Sequence, residues 1–163
     1  MPPQLILVPI DFSDHSHQAL EVATGMAAHL GATLLLVHIV SAIPDLPEGV
    51  SMLKQGEYEN QLHDAAAKRL SDLASTLRDR NITARTEVGT ANDVAMELVR
   101  IAEHDAVDLI IISTHGMTGW RPIAFGSVAK VVVEQANCPV LLLRVKAVAN
   151  IVDPETRGLA AHS

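Results

Sequence analysis

The chain has 163 residues, which suits one domain with a sizeable core and leaves little room for a second. Its 12 Lys and Arg against 19 Asp and Glu give a net charge of −7, and it contains only two Phe, one Tyr and one Trp. Nucleic-acid binders need a basic face and aromatic rings on which bases stack, so we expect no nucleic acid as a partner.

Strands and helices are predicted to alternate along the chain. In chain order the predicted elements are strand 5–10, helix 13–30, strand 33–40, helix 51–80, strand 82–88, helix 92–104, strand 107–113, helix 127–137 and strand 140–145. Every strand except 82–88 is a short, nearly continuous apolar run, which predicts burial on both faces. Segment 82–88 alternates apolar and polar residues and predicts an edge strand.

Helical crossovers between buried strands imply a parallel sheet with helices on both faces. We therefore predict an α/β fold: a five-stranded parallel sheet, doubly wound in three α/β/α layers, of the Rossmann-like kind. The domain is predicted at 1–145, followed by a C-terminal tail at 146–163 that shows no strong periodicity.

Short signals mark the ends of the predicted helices. Ser13 can cap the first helix, and Gly31 stands where a left-handed residue ends it. Asn81 can end the second helix, and Pro139 closes off the fourth.

The composition also indicates where the protein works. Its one cysteine, Cys138, cannot form an intrachain disulfide, which is typical of a reducing compartment. No basic segment followed by a long apolar run opens the chain, so we predict no signal peptide. The apolar runs are too short to span a membrane, and we expect a cytoplasmic protein with no membrane partner.

Two loops after predicted strands carry residues suited to ligand binding, which in doubly wound sheets occurs at the carboxyl ends of strands. The first is Pro9-Ile10-Asp11-Phe12-Ser13. Asp11 can cap or face the start of the first helix. Alternatively, its carboxylate accepts hydrogen bonds from a sugar hydroxyl or holds a metal.

The second loop runs from Ser113 to Val128 and contains Gly116, Gly119 and Gly126 before Ser127. Glycines let backbone amides approach an oxygen closely, and a helix start supplies free N–H donors. We expect Ser127 to cap the helix and to be able to donate its hydroxyl to a phosphate. The loop can also be an ordinary flexible connection. Neither GxxxxGK[ST] nor GxGxxG occurs, so a Walker A loop and the dinucleotide fingerprint are excluded.

Taken together, these motifs resemble the universal stress protein family over about residues 4–145. The likeness rests on Pro9-x-Asp11-x-Ser13 and on Ser113-Thr114-His115-Gly116, then nine residues, then Gly126-Ser127-Val128. Val37-His38-Ile39 and the closing Asn137-Cys138-Pro139-Val140-Leu141-Leu142-Leu143 match the same family.

The resemblance implies an adenine-nucleotide site. By its motif positions, Gly116, Gly126, Ser127 and the Val128 amide hold phosphates. Asp11 contacts ribose, Pro9 and Ile10 line the adenosine, and Ile39 packs on adenine. Ser113 departs from the pattern, because it replaces the first glycine of the Gly-x-x-Gly motif. Its Cβ can crowd the ligand, or its hydroxyl can add a contact.

Several other side chains can be interpreted either as binding groups or as ordinary structural residues. His115 can contact phosphate when protonated, or can be a loop residue whose backbone matters more than its ring. Arg121 can reach a terminal phosphate, or can be solvated or paired at a subunit contact. His38 is expected to be a satisfied core histidine, and Cys138 a small buried residue. His15 and His17 are spaced i, i+2, which separates them on a helix and argues against a metal pair. Trp120 can form a lid or a subunit contact.

The resemblance implies a stress-response regulator that binds ATP or AMP and acts on a protein partner not identifiable from the sequence. Mg²⁺ is expected to bind through the phosphates. The alternatives are a dimeric interaction protein that binds no nucleotide, or a slow ATPase, although no catalytic dyad is visible. A homodimer is expected through strand 140–145, with Val140 at its start and Val145 at its end, because this apolar strand would otherwise leave an exposed edge.

Overall fold

The structure is a computed structural model, and it describes residues 1–41, 52–114 and 126–144. The predicted alternation is confirmed. The observed elements are β1 (Leu5–Pro9), α1 (Asp14–Leu30), β2 (Thr33–Ser41), α2 (Met52–Asp79), β3 (Ala84–Ala91), α3 (Val94–His104), β4 (Leu109–Ser113), α4 (Ser127–Gln135) and β5 (Val140–Leu143).

The five strands form one sheet in the order β3-β2-β1-β4-β5, and every neighbouring pair is parallel. The predicted fold class is therefore correct, and β3 lies at the edge, as its alternating pattern indicated. The chain adds β2 and β3 on one side of β1, then returns to add β4 on the other side. The strand order thus reverses between β1 and β4, the place where such sheets bind ligands.

Apolar residues on the two faces of the sheet form two separate cores. Ile6 and Val8 of β1 pack with α1 and α2, whereas Leu7, between them, packs with α3 and α4. Alternate side chains of a strand point to opposite faces, so a continuous apolar run feeds both cores. This explains the aliphatic composition and confirms the three-layer arrangement.

The first helix is capped as predicted. The Ser13 side chain accepts a hydrogen bond from the Ser16 amide at 3.2 Å. Gly31 ends the helix in the left-handed conformation, with φ at 68°, and Asn81 adopts φ at 60° directly after α2. These positions are set by local chemistry, which is why sequence alone found them.

Two local predictions are wrong. Ser127 does not cap α4: Gly126 occupies the cap position, with no side-chain cap hydrogen bond, and Ser127 is the first helical residue. Strand β5 is not fully buried, because all four of its residues are half-exposed. It contributes to both cores but, among the described residues, has a neighbouring strand only on its β4 side. Val145 and the tail lie outside the described residues.

Candidate functional site

A cavity of about 220 Å³ opens at the carboxyl ends of the strands, at the β1–β4 reversal. All eight predicted site residues that the structure describes lie in its wall: Pro9, Ile10, Asp11, Ile39, Ser113, Gly126, Ser127 and Val128. They come from the ends of β1, β2 and β4, from the start of α4 and from the residues next to them, which lie far apart in sequence, so the sheet topology brings them together. His115 and Gly116 lie outside the described residues, as do Trp120 and Arg121.

The loop after β1 is held firmly by its neighbours. The Ile10 amide donates to the Val37 carbonyl at 2.7 Å, and the Ile10 carbonyl accepts from His38 Nδ1 at 2.7 Å. Asp11 follows directly and accepts hydrogen bonds from the Ser13 amide, at 3.0 Å, and from the Ser13 hydroxyl. Asp11 is therefore not the cap of α1: Ser13 is. The carboxylate is fixed at the cavity wall by the residue that caps the helix.

Phe12 is a supporting residue that sequence reasoning did not single out. Its φ of 63° places it in the left-handed region, which a bulky residue rarely adopts. Its ring lies 4.8 Å from the His38 ring, and the Arg69 guanidinium stands 3.7 Å above the Phe12 centroid. These contacts compensate the backbone strain and let the chain turn sharply between Asp11 and α1. No local signal in the sequence marks this conformation.

His38 is half-buried and lines the cavity, so its assignment as a core histidine is only partly right. Its Nδ1 is satisfied by the Ile10 carbonyl, as a core histidine requires. Because a carbonyl only accepts, Nδ1 carries the proton and, in the neutral ring, Nε2 is an acceptor. The sequence feature that could have placed His38 in the cavity wall is its position one residue before Ile39, at the end of an apolar strand.

The opposite wall is the start of α4. The Gly126 amide donates to the Thr114 carbonyl at 2.6 Å, and the Thr114 amide donates to the Leu143 carbonyl of β5 at 2.9 Å. The first bond fastens the helix start to the end of β4, and the second fastens that end to β5. Hydrogen bonding within α4 begins with the Lys130 amide and the Gly126 carbonyl at 3.0 Å. The amides of residues 127–129 precede that bond, and such amides at a helix start are suited to an anion.

The cavity is apolar at one side and polar at the other. On the β2 side it is walled by Val37 and Ile39, with Val94 and Leu98 from the first turns of α3. On the β4 side it is walled by Ser113, Thr114 and the start of α4. Among its described lining residues, only Asp11 and His38 are ionisable. In the described part of the wall, an anion on the β4 side would face backbone amides rather than lysines.

The remaining candidates do not form a second site within the described part of the chain. His17 is exposed, its Nδ1 lies 2.9 Å from the Ser13 carbonyl, and no group of three His, Cys, Asp or Glu there could hold a metal. Cys138 is half-buried rather than buried. Desolvation raises the pKa of its thiol, so the thiolate is disfavoured at neutral pH and the residue is not activated.

Sequence comparison decides the family to which this fold and cavity belong. The model of the universal stress protein family matches residues 3–144. The chain belongs to the universal stress protein family. This confirms the resemblance seen in the loop motifs, and the match covers nearly the whole predicted domain.

Among universal stress proteins, MJ0577 of Methanocaldococcus jannaschii is 29% identical over 156 residues, covering 86% of this chain and 94% of that protein. MJ0531 of the same organism is 32% identical over 141 residues, covering 85% of this chain and 81% of that protein. A solved structure of MJ0577 superposes with a TM-score of 0.77 at 26% identity, covering 90% of this chain and 99% of that one.

A universal stress protein from Archaeoglobus fulgidus, solved in complex with dAMP, shares the fold. Its TM-score is 0.58 at 22% identity, and the match covers 87% of this chain and 98% of that one. Over the ranges 1–41, 52–114 and 126–144, no helix of this chain has the length and apolar character needed to cross a membrane.

Proposed function

We propose that this universal stress protein binds an adenine nucleotide, ATP or AMP, in the cavity at the β1–β4 reversal. One observation carries the proposal: the cavity wall runs from apolar Ile39, past the Asp11 carboxylate, to the start of α4 at Gly126. A nucleotide has the same order of chemistry, an apolar base, a sugar with hydroxyls and an anionic phosphate. The strand order β2-β1-β4 places the apolar, carboxylate and amide parts of the wall in this order.

Each part of the nucleotide has a matching group. The base packs against Ile39 on the β2 side, because few aromatic residues exist in this chain to stack on it. The ribose hydroxyls donate to Asp11, and Pro9 and Ile10 line the adenosine. The phosphates accept from the amides of Ser127 and Val128 and from the Ser127 hydroxyl, while Gly126, whose amide donates to Thr114, keeps the space beside them free of a side chain. Ser113 lies at the polar side, and His115 and Gly116 are proposed to complete it.

Mg²⁺, where it binds, is held through the phosphates. Magnesium keeps several waters and is usually bound by one or two carboxylates together with substrate phosphates. Asp11 is the one carboxylate among the described lining residues, and it is engaged with Ser13. The protein alone therefore supplies few oxygen ligands, and the nucleotide supplies the rest. The dAMP complex of the Archaeoglobus protein supports adenine-nucleotide binding on this fold.

The proposed role is regulatory: nucleotide binding changes the contacts that this chain makes with a protein partner in a stress response. On the β4 side, the described part of the site offers the phosphates backbone amides, which bind an anion without supplying a base to activate water, whereas His38 lies on the β2 side. We therefore propose binding rather than rapid turnover, in the cytoplasm. Hydrolysis, where it occurs, is expected to be slow.

Calorimetric titration of the purified chain with ATP and AMP, with and without Mg²⁺, tests the proposal. A specific ligand is expected to raise the unfolding midpoint as well, since ligand at about 100 times its Kd stabilises by about 2.7 kcal/mol. Native mass spectrometry of the protein as purified identifies any nucleotide it retains. If millimolar ATP produces no heat of binding and leaves the unfolding midpoint unchanged, the proposal is contradicted. The result would favour an interaction protein with an empty cavity, the alternative that Ser113 suggests.

We further propose that two copies pair along β5. Its four residues are apolar and half-exposed, and within the part of the chain that the structure describes the strand pairs only with β4. An open apolar edge strand is a template for pairing with a second chain. Sedimentation is expected to show a species of twice the chain mass that dissociates on dilution.

Amide exchange locates that interface. Exchange in β5 is expected to be slow at concentrations where the dimer dominates and faster after dilution. Strand β3, at the other edge of the same sheet, is the control and should exchange equally at both concentrations. Protection of β5 that does not change with concentration would contradict the proposed interface.

A further inference from the structure

Gly89 lies opposite Ile39 in the β2–β3 register, next to the apolar side of the cavity. A Cβ built on Gly89 would stand 2.7 Å from Ile39 Cδ1, closer than carbon atoms approach in proteins. Gly89 has no left-handed φ that would itself call for glycine. Glycine at this position therefore provides space rather than an unusual conformation, and the end of the Ile39 side chain occupies that space.

Glu97 closes the other side of the same space. The Cβ built on Gly89 would lie 3.5 Å from Glu97 Cγ, an ordinary contact distance. The Glu97 carboxylate is held by Arg100 through two hydrogen bonds of 2.8 and 2.6 Å. A methyl group at position 89 would therefore be accommodated beside Glu97 and would displace Ile39.

The direction of that displacement follows from the packing. Ile39 is 8% exposed and belongs to the buried cluster that contains Leu98 and Val37. A close-packed interior resists compression, so a displaced side chain moves into open space. The open space beside Ile39 is the cavity, which its side chain already lines.

We propose that Gly89 sets the width of the apolar side of the cavity and so makes it wide enough for a purine base. It acts through Ile39, as a positioning residue that does not itself line the cavity. The proposal rests on the proposed function, since the base is taken to pack against Ile39. It predicts that the combined size of the side chains at positions 39 and 89 governs nucleotide affinity.

Calorimetry of four full-length proteins with ATP tests this. Gly89→Ala is expected to lower ATP affinity about tenfold, because the displaced Ile39 side chain would take space from the base. Ile39→Val removes Cδ1, the atom that the new methyl group would meet. The double variant Gly89→Ala/Ile39→Val is therefore expected to bind ATP as tightly as Ile39→Val alone. Gly25→Ala is the matched control, because a Cβ there meets nothing within 4 Å.

The unfolding midpoint of each variant separates an effect on binding from an effect on stability. If Gly89→Ala does not fold, the test is made in the Ile39→Val protein. In that background Gly89→Ala is expected to leave ATP affinity unchanged, and the larger Gly89→Val to lower it. Affinity unaffected by any change at position 89 would overturn the inference while leaving the proposed function in place. Weak binding that Ile39→Val does not rescue would overturn it as well. Failure of the unaltered protein to bind ATP or AMP would instead remove the proposed function, and this inference with it.

Discussion

Replacing Gly126 with leucine is expected to weaken ATP and AMP binding by about two orders of magnitude, or about 2.7 kcal/mol. Gly126 caps α4 at the polar side of the cavity, where the helix-start amides are proposed to receive phosphate. A leucine side chain at this position would fill the phosphate space and keep oxygens away from the amides. Calorimetry with ATP, AMP and adenosine measures the effect.

The substitution is expected to leave the fold intact. Gly126 has φ at −56° and ψ at 145°, which any L-residue adopts readily, and its hydrogen bond to Thr114 uses the backbone amide. The loss should therefore be confined to ligands that carry phosphate, with adenosine bound as before. Gly25→Leu is the matched control. Gly25 is an exposed residue of α1, so this variant should bind ATP and AMP as tightly as the unaltered protein. Its stability should rise by up to about 1 kcal/mol, because glycine is a poor helix former. ATP binding by Gly126→Leu equal to that of the unaltered protein would refute the phosphate assignment.

Replacing Asp11 with alanine is expected to lower affinity about 10- to 100-fold, equally for ATP, AMP and adenosine. The carboxylate lies between the apolar side and the helix start, where a bound nucleotide places its ribose. A hydrogen bond to a charged group contributes about 1.5–3 kcal/mol, which corresponds to that loss. Titration of all three ligands distinguishes a ribose contact, which all share, from a phosphate contact, which adenosine lacks.

Two further variants make the Asp11 prediction specific. Asp11→Asn keeps the shape and one acceptor oxygen, so its affinity should fall between those of the unaltered protein and Asp11→Ala. Asp14→Ala, three residues along in the first turn of α1, removes an exposed carboxylate outside the cavity wall. It should bind adenosine normally. A loss in Asp14→Ala as large as in Asp11→Ala would mean that both substitutions act by disturbing the start of α1, and would contradict the ribose contact.

The candidate site was largely predictable because motif residues follow directly after strands. Pro9, Ile10 and Asp11 continue β1, Ser113 ends β4, and parallel strands present their carboxyl ends at one edge. The eight described residues therefore meet in one cavity, although they span residues 9–128. The role of Ser127 as a cap was misassigned, because serine is a favoured cap and the sequence does not show where the first helical turn closes.

The residues that support the site were not predictable in the same way. Phe12 takes a left-handed conformation that its type disfavours, and the contacts that stabilise it come from His38 and from Arg69 of α2. Gly89 lies one residue beyond the predicted strand 82–88, and nothing in the sequence marks it for a particular role. Its meaning depends on Ile39, fifty residues earlier, which the β2–β3 register places opposite it.

The amino-acid sequence alone determined the order of strands and helices, the ends of α1, the family and the motif residues of the cavity. Those features depend on periodicity and on local chemistry within a few residues, and both can be recognised in a single sequence. The tertiary structure alone decided the strand order β3-β2-β1-β4-β5, the half-exposed state of β5 and the space above Gly89. These depend on which distant segments pack together, and packing is a property of the assembled layers rather than of any one segment.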